Sequence, residues 1–245
     1  MKQDEKTPLV RLDKILAKAA ALSRKEAKRA ALTGRITVDG VVTRSPDQKI
    51  AAASCVCLDG RELTYNENIY LMLNKPEGYV CSNDDPKSPN VFELIGDEYK
   101  KDGLFTVGRL DKNTTGLLLI TDNGELAHFL LSPKRHVKKK YFLSAKFPLT
   151  EDDVLAFRQG VDIGEKALTK TAVLEICEDR LSAYLTITEG KFHQIKKMLD
   201  ARGNKVTSLE RIAFGPLSLD TRLKSGEYRP LDENEKNMLI CVAEN

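Results

Sequence analysis

The sequence predicts an α+β protein with a small, basic N-terminal domain and a larger domain whose mixed, mainly antiparallel sheet is flanked by helices. Two observations favour this class. Short strand patterns separated by turn residues recur along most of the chain, and few helical patterns interrupt them. A polar, turn-rich stretch at residues 59–68 divides the chain, as a linker or as a short hairpin leading into one, so we predict domains at 9–58 and 69–245.

Composition limits the classes of function. The 245 residues are 41% hydrophobic and 31% charged, as in ordinary globular proteins. No apolar run approaches the roughly eighteen residues of a membrane span, and the N-terminus lacks a hydrophobic signal region, so we expect a cytoplasmic protein with no membrane partner. Five cysteines without a C-x-x-C pair, and only three histidines, argue against a metal site or a disulfide framework. Nothing indicates an obligate dimer, so we expect a monomer.

Two short helices open the N-terminal domain. Leu12, Ile15 and Leu16 recur on one helical face, and the capping box Ser23-x-x-Glu26 begins a second helix that stops at Gly34. Between residues 9 and 50 there are ten Lys or Arg against four Asp or Glu, a charge pattern typical of phosphate binding. The cations that this pattern makes candidates for phosphate contact are Arg11, Lys14, Arg24, Lys25, Lys28 and Arg35. A small structural bundle whose lysines only keep it soluble remains the alternative.

A hairpin follows the helices. Ile36-Thr37-Val38 alternates into the turn Asp39-Gly40 and returns as Val41-Val42. After the 59–68 stretch, residues 69–73 predict a buried strand, and the segment N-K-P-E-G-Y-V-C-S at 74–82 comes directly after it. Taken alone, K-P-x-G is only a turn signal.

The stretch around Asp111 carries the chemistry. Gly108 and Gly116 would permit close backbone approach or positive φ, while Arg109 and Lys112 would favour an ionised carboxylate that could act as a nucleophile or a base. Residues 117–120 then predict a buried strand that ends at the turn of residues 122–124. From spacing alone we favour a simpler interpretation, in which Asp111 caps a turn and makes a surface salt bridge.

A second basic segment precedes Tyr141. Residues 132–146 contain six Lys or Arg and no acid, and Lys139 and Lys140 lead directly into the predicted strand at 141–145. A ring in this position could stack on a base while the ammonium groups hold the RNA backbone. Taken alone, the pattern favours a tyrosine that packs on the core at a strand edge.

The remaining chain alternates short elements. We predict a helix from residue 150 to 160, strands at 172–176, 183–188 and 206–212, turns at 215–217 and 226–231, and a last helix from residue 232. The segment E-G-K-F-H-Q-I-K-K-M at 189–198 predicts a helix that places Phe192 and Lys196 one turn apart. His193 could be a general acid, but a hydrogen-bonded structural histidine is the simpler interpretation.

Three motifs resemble those of the pseudouridine synthases that modify ribosomal RNA. GRLDKNTTGLLLITDNGELAHFL, at 108–130, resembles the catalytic motif of that family. The 74–82 segment resembles the first motif and the 189–198 segment the third, with Lys191 and Lys197 where Arg is frequent. The extension Asn83-Asp84-Asp85-Pro86 looks more like the small-subunit enzymes than their large-subunit relatives, and residues 9 to 56 look like the S4 RNA-binding domain.

The resemblance implies an activity and a set of roles. It implies that Asp111 is the catalytic residue, that Lys196 pairs with it, and that Tyr141 lies against the target base. It also implies that Arg109, Lys139 and Lys140 contact RNA together with the S4-like helices, and that no cofactor or metal is needed. The implied partner is 16S rRNA or a small-subunit ribonucleoprotein intermediate, and the family's site is uridine 516.

Three alternatives remain open at this point. The chain could act on 23S rRNA of the large subunit, or it could be a non-catalytic RNA-binding protein of ribosome assembly. A hydrolase that uses Asp111 with His128 or His136 would need a nucleophilic Ser or Cys in a recognisable elbow, and the sequence has none.

Overall fold

The computed structural model describes residues 9–20, 22–51, 54–63, 68–82, 88–99 and 103–244. The chain forms two compact units that divide between residues 67 and 68. Residues 1–8 and the small-subunit-like extension at 83–86 lie outside the described residues. Within the described part of the chain, no helix has both the length and the hydrophobicity needed to cross a membrane.

The first unit pairs two helices with short strands. Its elements are β1 (Leu9–Arg11), α1 (Leu12–Ala19), α2 (Arg24–Leu32), β2 (Ile36–Val38), β3 (Val41–Thr43), β4 (Lys49–Ala51), β5 (Val56–Leu58) and β6 (Arg61–Leu63). β1 pairs with β4, and the other strands form a sheet in the order β3-β2-β5-β6. The predicted capping box of α2 is confirmed, because Ser23 Oγ accepts from the Glu26 backbone N–H and the Glu26 carboxylate accepts from the Ser23 N–H.

Two tight turns join strands of this unit into hairpins. Asp39 and Gly40 both have positive φ, as a tight two-residue hairpin requires, so the predicted hairpin is confirmed. A second turn of the same kind at Asp59 and Gly60 joins β5 to β6. Strand pairing therefore continues past residue 58 to Leu63, and the start of the 59–68 stretch is a hairpin; residues 64–67 lie outside the described residues.

The second unit is built on one sheet. Its strands are β7 (Tyr70–Lys75), β8 (Phe105–Val107), β9 (Thr115–Thr121), β10 (Lys139–Ala145), β11 (Val173–Ile176), β12 (Ser182–Ile187), β13 (Val206–Phe214), β14 (Leu217–Ser218) and β15 (Tyr228–Pro230). Its α-helices are α3 (Gly124–Leu131), α4 (Glu151–Gln159), α5 (Gln194–Ala201) and α6 (Glu233–Glu244). The described strands run in the order β11-β12-β10-β13-β9-β7-β15, with β8 on β9 and β14 on β13. β9 and β13 are parallel and the other described pairs are antiparallel, which confirms the predicted fold class.

The sheet has a hydrophobic core on each face. Leu118 and Ile120 face the core that includes Phe157 of α4 and Met198 of α5. Leu117 and Leu119 face the opposite core, to which α3 and α6 contribute. Helices cover both faces of β9, which explains why its apolar run is continuous instead of alternating.

One predicted turn is a strand. Residues 228–230, predicted as part of a turn, form β15 and pair with Leu71–Leu73 of β7. Pro230 made the segment a poor strand candidate, but β15 is the edge strand, where a missing N–H is tolerated.

Candidate active site

Asp111 lies in the loop between β8 and β9. The loop starts at Gly108, whose φ of +74° is in the left-handed region, and it turns at Asp111, whose carbonyl accepts a hydrogen bond of 3.0 Å from the Thr114 N–H. Asp111 therefore stands just before the buried strand of the central sheet, with its carboxylate 30% exposed.

Lys75 holds this loop from beneath. The side chain is fully buried at the end of β7, and its Nζ donates to the carbonyls of Pro76 (3.0 Å), Lys112 (3.3 Å) and Thr114 (2.8 Å). Burial lowers the pKa of Lys75 to about 8. Because two of its three acceptors belong to the loop, Lys75 fixes the backbone on the C-terminal side of Asp111.

The segment after Lys75 also anchors the loop. The Gly78 N–H donates to the Lys112 carbonyl at 2.8 Å, and the Leu110 N–H donates to Cys81 Sγ at 3.4 Å. Burial raises the pKa of the Cys81 thiol. The N-K-P-E-G-Y-V-C-S motif thus holds the Asp111 loop in place through hydrogen bonds to its backbone.

Lys196 is the cation that pairs with Asp111. It lies in the first turn of α5, and its Nζ donates to Asp111 Oδ2 at 2.7 Å and to Asn113 Oδ1 at 2.5 Å. Such charge-assisted bonds are short and directional, so they orient the carboxylate. His193 Nε2 lies 3.6 Å from the other oxygen, Asp111 Oδ1.

The cations next to Asp111 in sequence do not pair with it. Lys112 Nζ donates to Ser88 Oγ at 3.0 Å, and within the described residues Asp111 pairs with Lys196 and has His193 Nε2 nearby. Lys196 pairs with the carboxylate instead, although it lies 85 residues away in the sequence. Arg109 lines the cleft but makes no ion pair in the described part of the chain.

Tyr141 closes the cleft from the sheet side. Its side chain is 7% exposed on β10, beside the apolar Ile187 and Leu209, and its hydroxyl makes no hydrogen bond within the described residues. The same open cleft is lined by Asp111 and Lys196. The structure therefore places Asp111, Tyr141 and Lys196, the three residues singled out in the sequence, in one cleft.

The start of α5 differs from the prediction. His193 has a φ of +53°, which is uncommon for a residue with a side chain, and the helix begins only at Gln194. The prediction that Phe192 and Lys196 share a helix face is therefore wrong. Gln194 is buried and braces the preceding turn, since its amide donates to Glu189 Oε1 at 2.8 Å and accepts from the Lys191 N–H at 2.9 Å.

Behind the loop, β9 and β13 approach closely. Gly116 has a φ of +94°, and a Cβ there would lie 2.4 Å from the Arg211 carbonyl oxygen, so both predicted reasons for this glycine are confirmed. Arg211 is buried, and its Nε donates to the Leu117 carbonyl at 2.8 Å. Sequence analysis did not find Arg211 or the anchoring role of Lys75, because both depend on pairings between distant strands.

Lys139 and Lys140 are held by the protein. Lys139 Nζ donates to the Val137 carbonyl at 3.2 Å and lies over the Phe214 ring, and burial, together with Arg211, lowers the pKa of Lys139 to about 8. Lys140 Nζ instead forms an ion pair of 3.1 Å with Glu175. Both ammonium groups therefore already contact groups of the protein.

The predicted cations of the first unit divide into two groups. Arg11 pairs with Asp13, and Arg35 pairs with Asp59. Lys14, Lys25 and Lys28 are exposed, and none makes an ion pair within the described residues. The side chain of Arg24 lies outside the description. Among the described residues, no group of three or more His, Cys, Asp or Glu could hold a metal ion.

Comparisons with known proteins cover nearly all of the chain. A family model described as RNA pseudouridylate synthase matches residues 69–201, and an S4 domain model matches residues 10–54. A protein of Salmonella typhimurium named ribosomal small subunit pseudouridine synthase A is 42% identical over 228 residues, which cover 92% of this chain and 98% of that protein. Proteins of the same name from Escherichia coli K12 and Vibrio cholerae are each 43% identical, with 92% of this chain covered and 98% and 97% of theirs. A crystal structure of a pseudouridylate synthase superposes with a TM-score of 0.67 at 39% identity and covers 94% of this chain and 99% of that one.

Proposed function

The chain belongs to the family of RNA pseudouridylate synthases, and from that premise we propose that it isomerises one uridine of 16S rRNA in the small ribosomal subunit to pseudouridine. The observation that carries the proposal is the Asp111–Lys196 pair beside Tyr141 in one cleft. The small-subunit assignment is supported by relatives of that name that span nearly the whole chain. By the same resemblance, the target is the family's uridine 516.

The reaction defines what the site must do. The bond from N1 of the base to C1′ of the ribose breaks, the base turns, a bond from C5 to C1′ forms, and the C5 proton leaves while N1 gains one. Atoms and electrons balance without an oxidant, a reductant or an added group, so side chains suffice.

Asp111 would start the reaction in one of two ways. As a nucleophile, its carboxylate bonds to C1′ while N1 leaves with the electron pair. As a base, it removes the C2′ proton while N1 leaves. Deuterium at C2′ separates the two, because only proton removal is slowed several-fold by that label.

Lys196 and Tyr141 would assist in different ways. Lys196 would aim the Asp111 carboxylate at the ribose through the 2.7 Å bond. Tyr141 would pack on the detached uracil, and its hydroxyl oxygen, which makes no hydrogen bond within the described residues, would accept the C5 proton at the end as its own proton passes to water.

The RNA must deliver an unstacked uridine to this cleft. Extruding a base costs a few kcal/mol, which phosphate contacts elsewhere can offset. We propose that the S4-like unit supplies such contacts through cations that include Lys14, Lys25 and Lys28, which make no ion pair within the described residues. The proposed division of labour is between residues 9–58, which bind and place RNA, and residues 69–245, which perform the chemistry. The enzyme would act as a monomer in the cytoplasm, on free 16S rRNA or on an assembling particle.

A tritium-release assay tests the proposal. Purified protein is incubated with 16S rRNA, 23S rRNA or small-subunit particles that carry tritium at C5 of uridine. We expect one equivalent of tritium released per 16S rRNA and none from 23S rRNA. Release from 23S rRNA alone would favour the large-subunit enzyme, and no release from any RNA would favour a non-catalytic assembly protein.

A further inference from the structure

An exposed aromatic stack lies at the mouth of the cleft. The rings of Phe192 and His193 are nearly parallel, at an angle of 20°, with their centroids 3.8 Å apart. His193 lines the cleft and reaches Asp111, whereas Phe192 extends the stack outward into solvent with 68% of its surface exposed.

Phe192 is not part of the core. The apolar residues that follow it, Ile195, Met198 and Leu199, are all buried, and the left-handed conformation of His193 turns the chain so that Phe192 stays outside. The exposed ring of Phe192, stacked on a residue that lines the cleft, is therefore free to contact a ligand that enters it.

The backbone under the stack is fixed. Lys191 Nζ donates to the Ala167 carbonyl at 2.9 Å and pairs with Glu165 at 3.4 Å, and Lys197 pairs with the same carboxylate at 3.7 Å. With Gln194 bracing the turn from inside, Phe192 is held at a defined place before any substrate arrives. Such an unusual φ next to a reactive group is typical of functional segments.

The charge around the ring favours a nucleotide. Lys197 Nζ lies 5.5 Å from the centre of the Phe192 ring, and Lys196 lies in the same first turn of the helix. Exposed aromatic rings among cations are the means by which proteins bind unpaired nucleotides, since rings stack on bases and ammonium groups attract phosphates.

We propose that Phe192 and His193 form a stacking platform for the base that neighbours the target uridine, on its 5′ or 3′ side. The proposal rests on the proposed function. The target base itself belongs deeper, beside the buried Tyr141, and the platform lies one ring further out, where the next nucleotide of an extruded segment passes. Phe192 is therefore a positioning residue that binds the RNA strand and not the reacting atoms.

The test uses an RNA fragment of the small subunit that contains the target uridine, with the fluorescent base 2-aminopurine at its 5′ or 3′ neighbour. Stacking on an aromatic ring quenches this base. The variants are Phe192→Leu, which removes the ring but keeps an apolar side chain, and Phe192→Tyr, which keeps the ring. The matched control is Phe147→Leu, because Phe147 is 49% exposed with Lys146 Nζ 5.2 Å from its ring centre, and it does not line the cleft.

We expect quenching at one neighbour with the wild type, its loss in Phe192→Leu and its retention in Phe192→Tyr. KM should rise about 10-fold in Phe192→Leu with kcat within about 2-fold, since a flanking stack binds ground state and transition state alike. Quenching at neither neighbour, or equal effects of Phe192→Leu and Phe147→Leu, would overturn the proposal. Fluorescence needs no turnover, so a wild type that quenches without forming pseudouridine refutes the proposed function and leaves the platform standing.

Discussion

Lys196 Nζ lies 2.7 Å from Asp111 Oδ2, so the folded sheet joins two charges that are 85 residues apart in sequence. Neither side chain is fully buried, at 22% and 30% exposure. Ion pairs with this much solvent contact contribute at most about 1 kcal/mol to stability. The pair should therefore matter for the orientation of Asp111 much more than for the stability of the fold.

Replacing Lys196 tests that inference. We expect Lys196→Met to lower kcat roughly 100-fold, because a misdirected reactive group costs about that much, while the free energy of unfolding changes by less than about 1 kcal/mol. Lys196→Arg should retain part of the activity, because it keeps the charge but not the geometry. Tritium release and denaturant unfolding measure the two effects, with Lys205→Met as an exposed-lysine control. A Lys196→Met enzyme with wild-type kcat would contradict the role assigned to this residue.

Lys75→Met should impair catalysis by loosening the loop that carries Asp111. The change removes the donor shared by the Pro76, Lys112 and Thr114 carbonyls, so the Asp111 loop loses its anchor while its charged partner Lys196 remains. We expect kcat to fall at least about 10-fold with a smaller change in KM, in protein that is still folded by circular dichroism. If kcat stays at the wild-type value, the hydrogen bonds of Lys75 do not position Asp111.

The lowered pKa of Lys139 predicts that the stability of the protein depends on pH. Its folded pKa of about 8 is below the ordinary value of 10.5, so between these values the unfolded chain binds more protons than the folded one. The contribution of Lys139 to the free energy of unfolding should therefore rise as pH increases from about 8 to 10.5 and be constant below that window. The difference between wild type and Lys139→Met, measured by urea unfolding across this range, isolates the effect. A difference that stays constant or falls as pH rises would show that the pKa of Lys139 is not lowered in the folded protein.

Gly116→Ala should separate the two central strands. Its Cβ would meet backbone atoms of Arg211 at 2.4 and 2.9 Å, in addition to the unfavourable φ of +94°. Gly164→Ala is the matched control, because Gly164 has a φ of +76° but open space around it. We expect about 1 kcal/mol of destabilisation from Gly164→Ala, and at least 3 kcal/mol or failure to fold from Gly116→Ala. Equal losses would mean that strain in φ, and not the close approach of β9 and β13, requires the glycine.

Much of the local structure was predictable because it depends on neighbours in sequence. The capping box at Ser23, the Asp39-Gly40 turn and the buried run before Asp122 each carry their own signal. The fold class followed from counting such signals. Asp111, Tyr141 and Lys196 were selected through family resemblance, and their residue types alone favoured structural roles.

What escaped prediction depends on contacts between distant segments. No local pattern marks Lys75 or Arg211, because it is the pairing of distant strands that places them against the Asp111 loop and beside β9. Phe192 was assigned to a helix because helical spacing cannot reveal that His193 adopts a left-handed conformation. The expectation that Lys139 and Lys140 contact RNA stays a prediction, and the sequence did not show that Lys139 Nζ donates to the Val137 carbonyl or that Lys140 pairs with Glu175.

The central claim is that Asp111 makes one pseudouridine in small-subunit rRNA. The most direct measurement is the mapping of pseudouridine in both rRNAs from cells that lack this protein, complemented with the wild type or with Asp111→Asn. The account predicts that one small-subunit pseudouridine is missing, that the wild type restores it and that Asp111→Asn does not. A missing site in the large subunit, or restoration by Asp111→Asn, would contradict it.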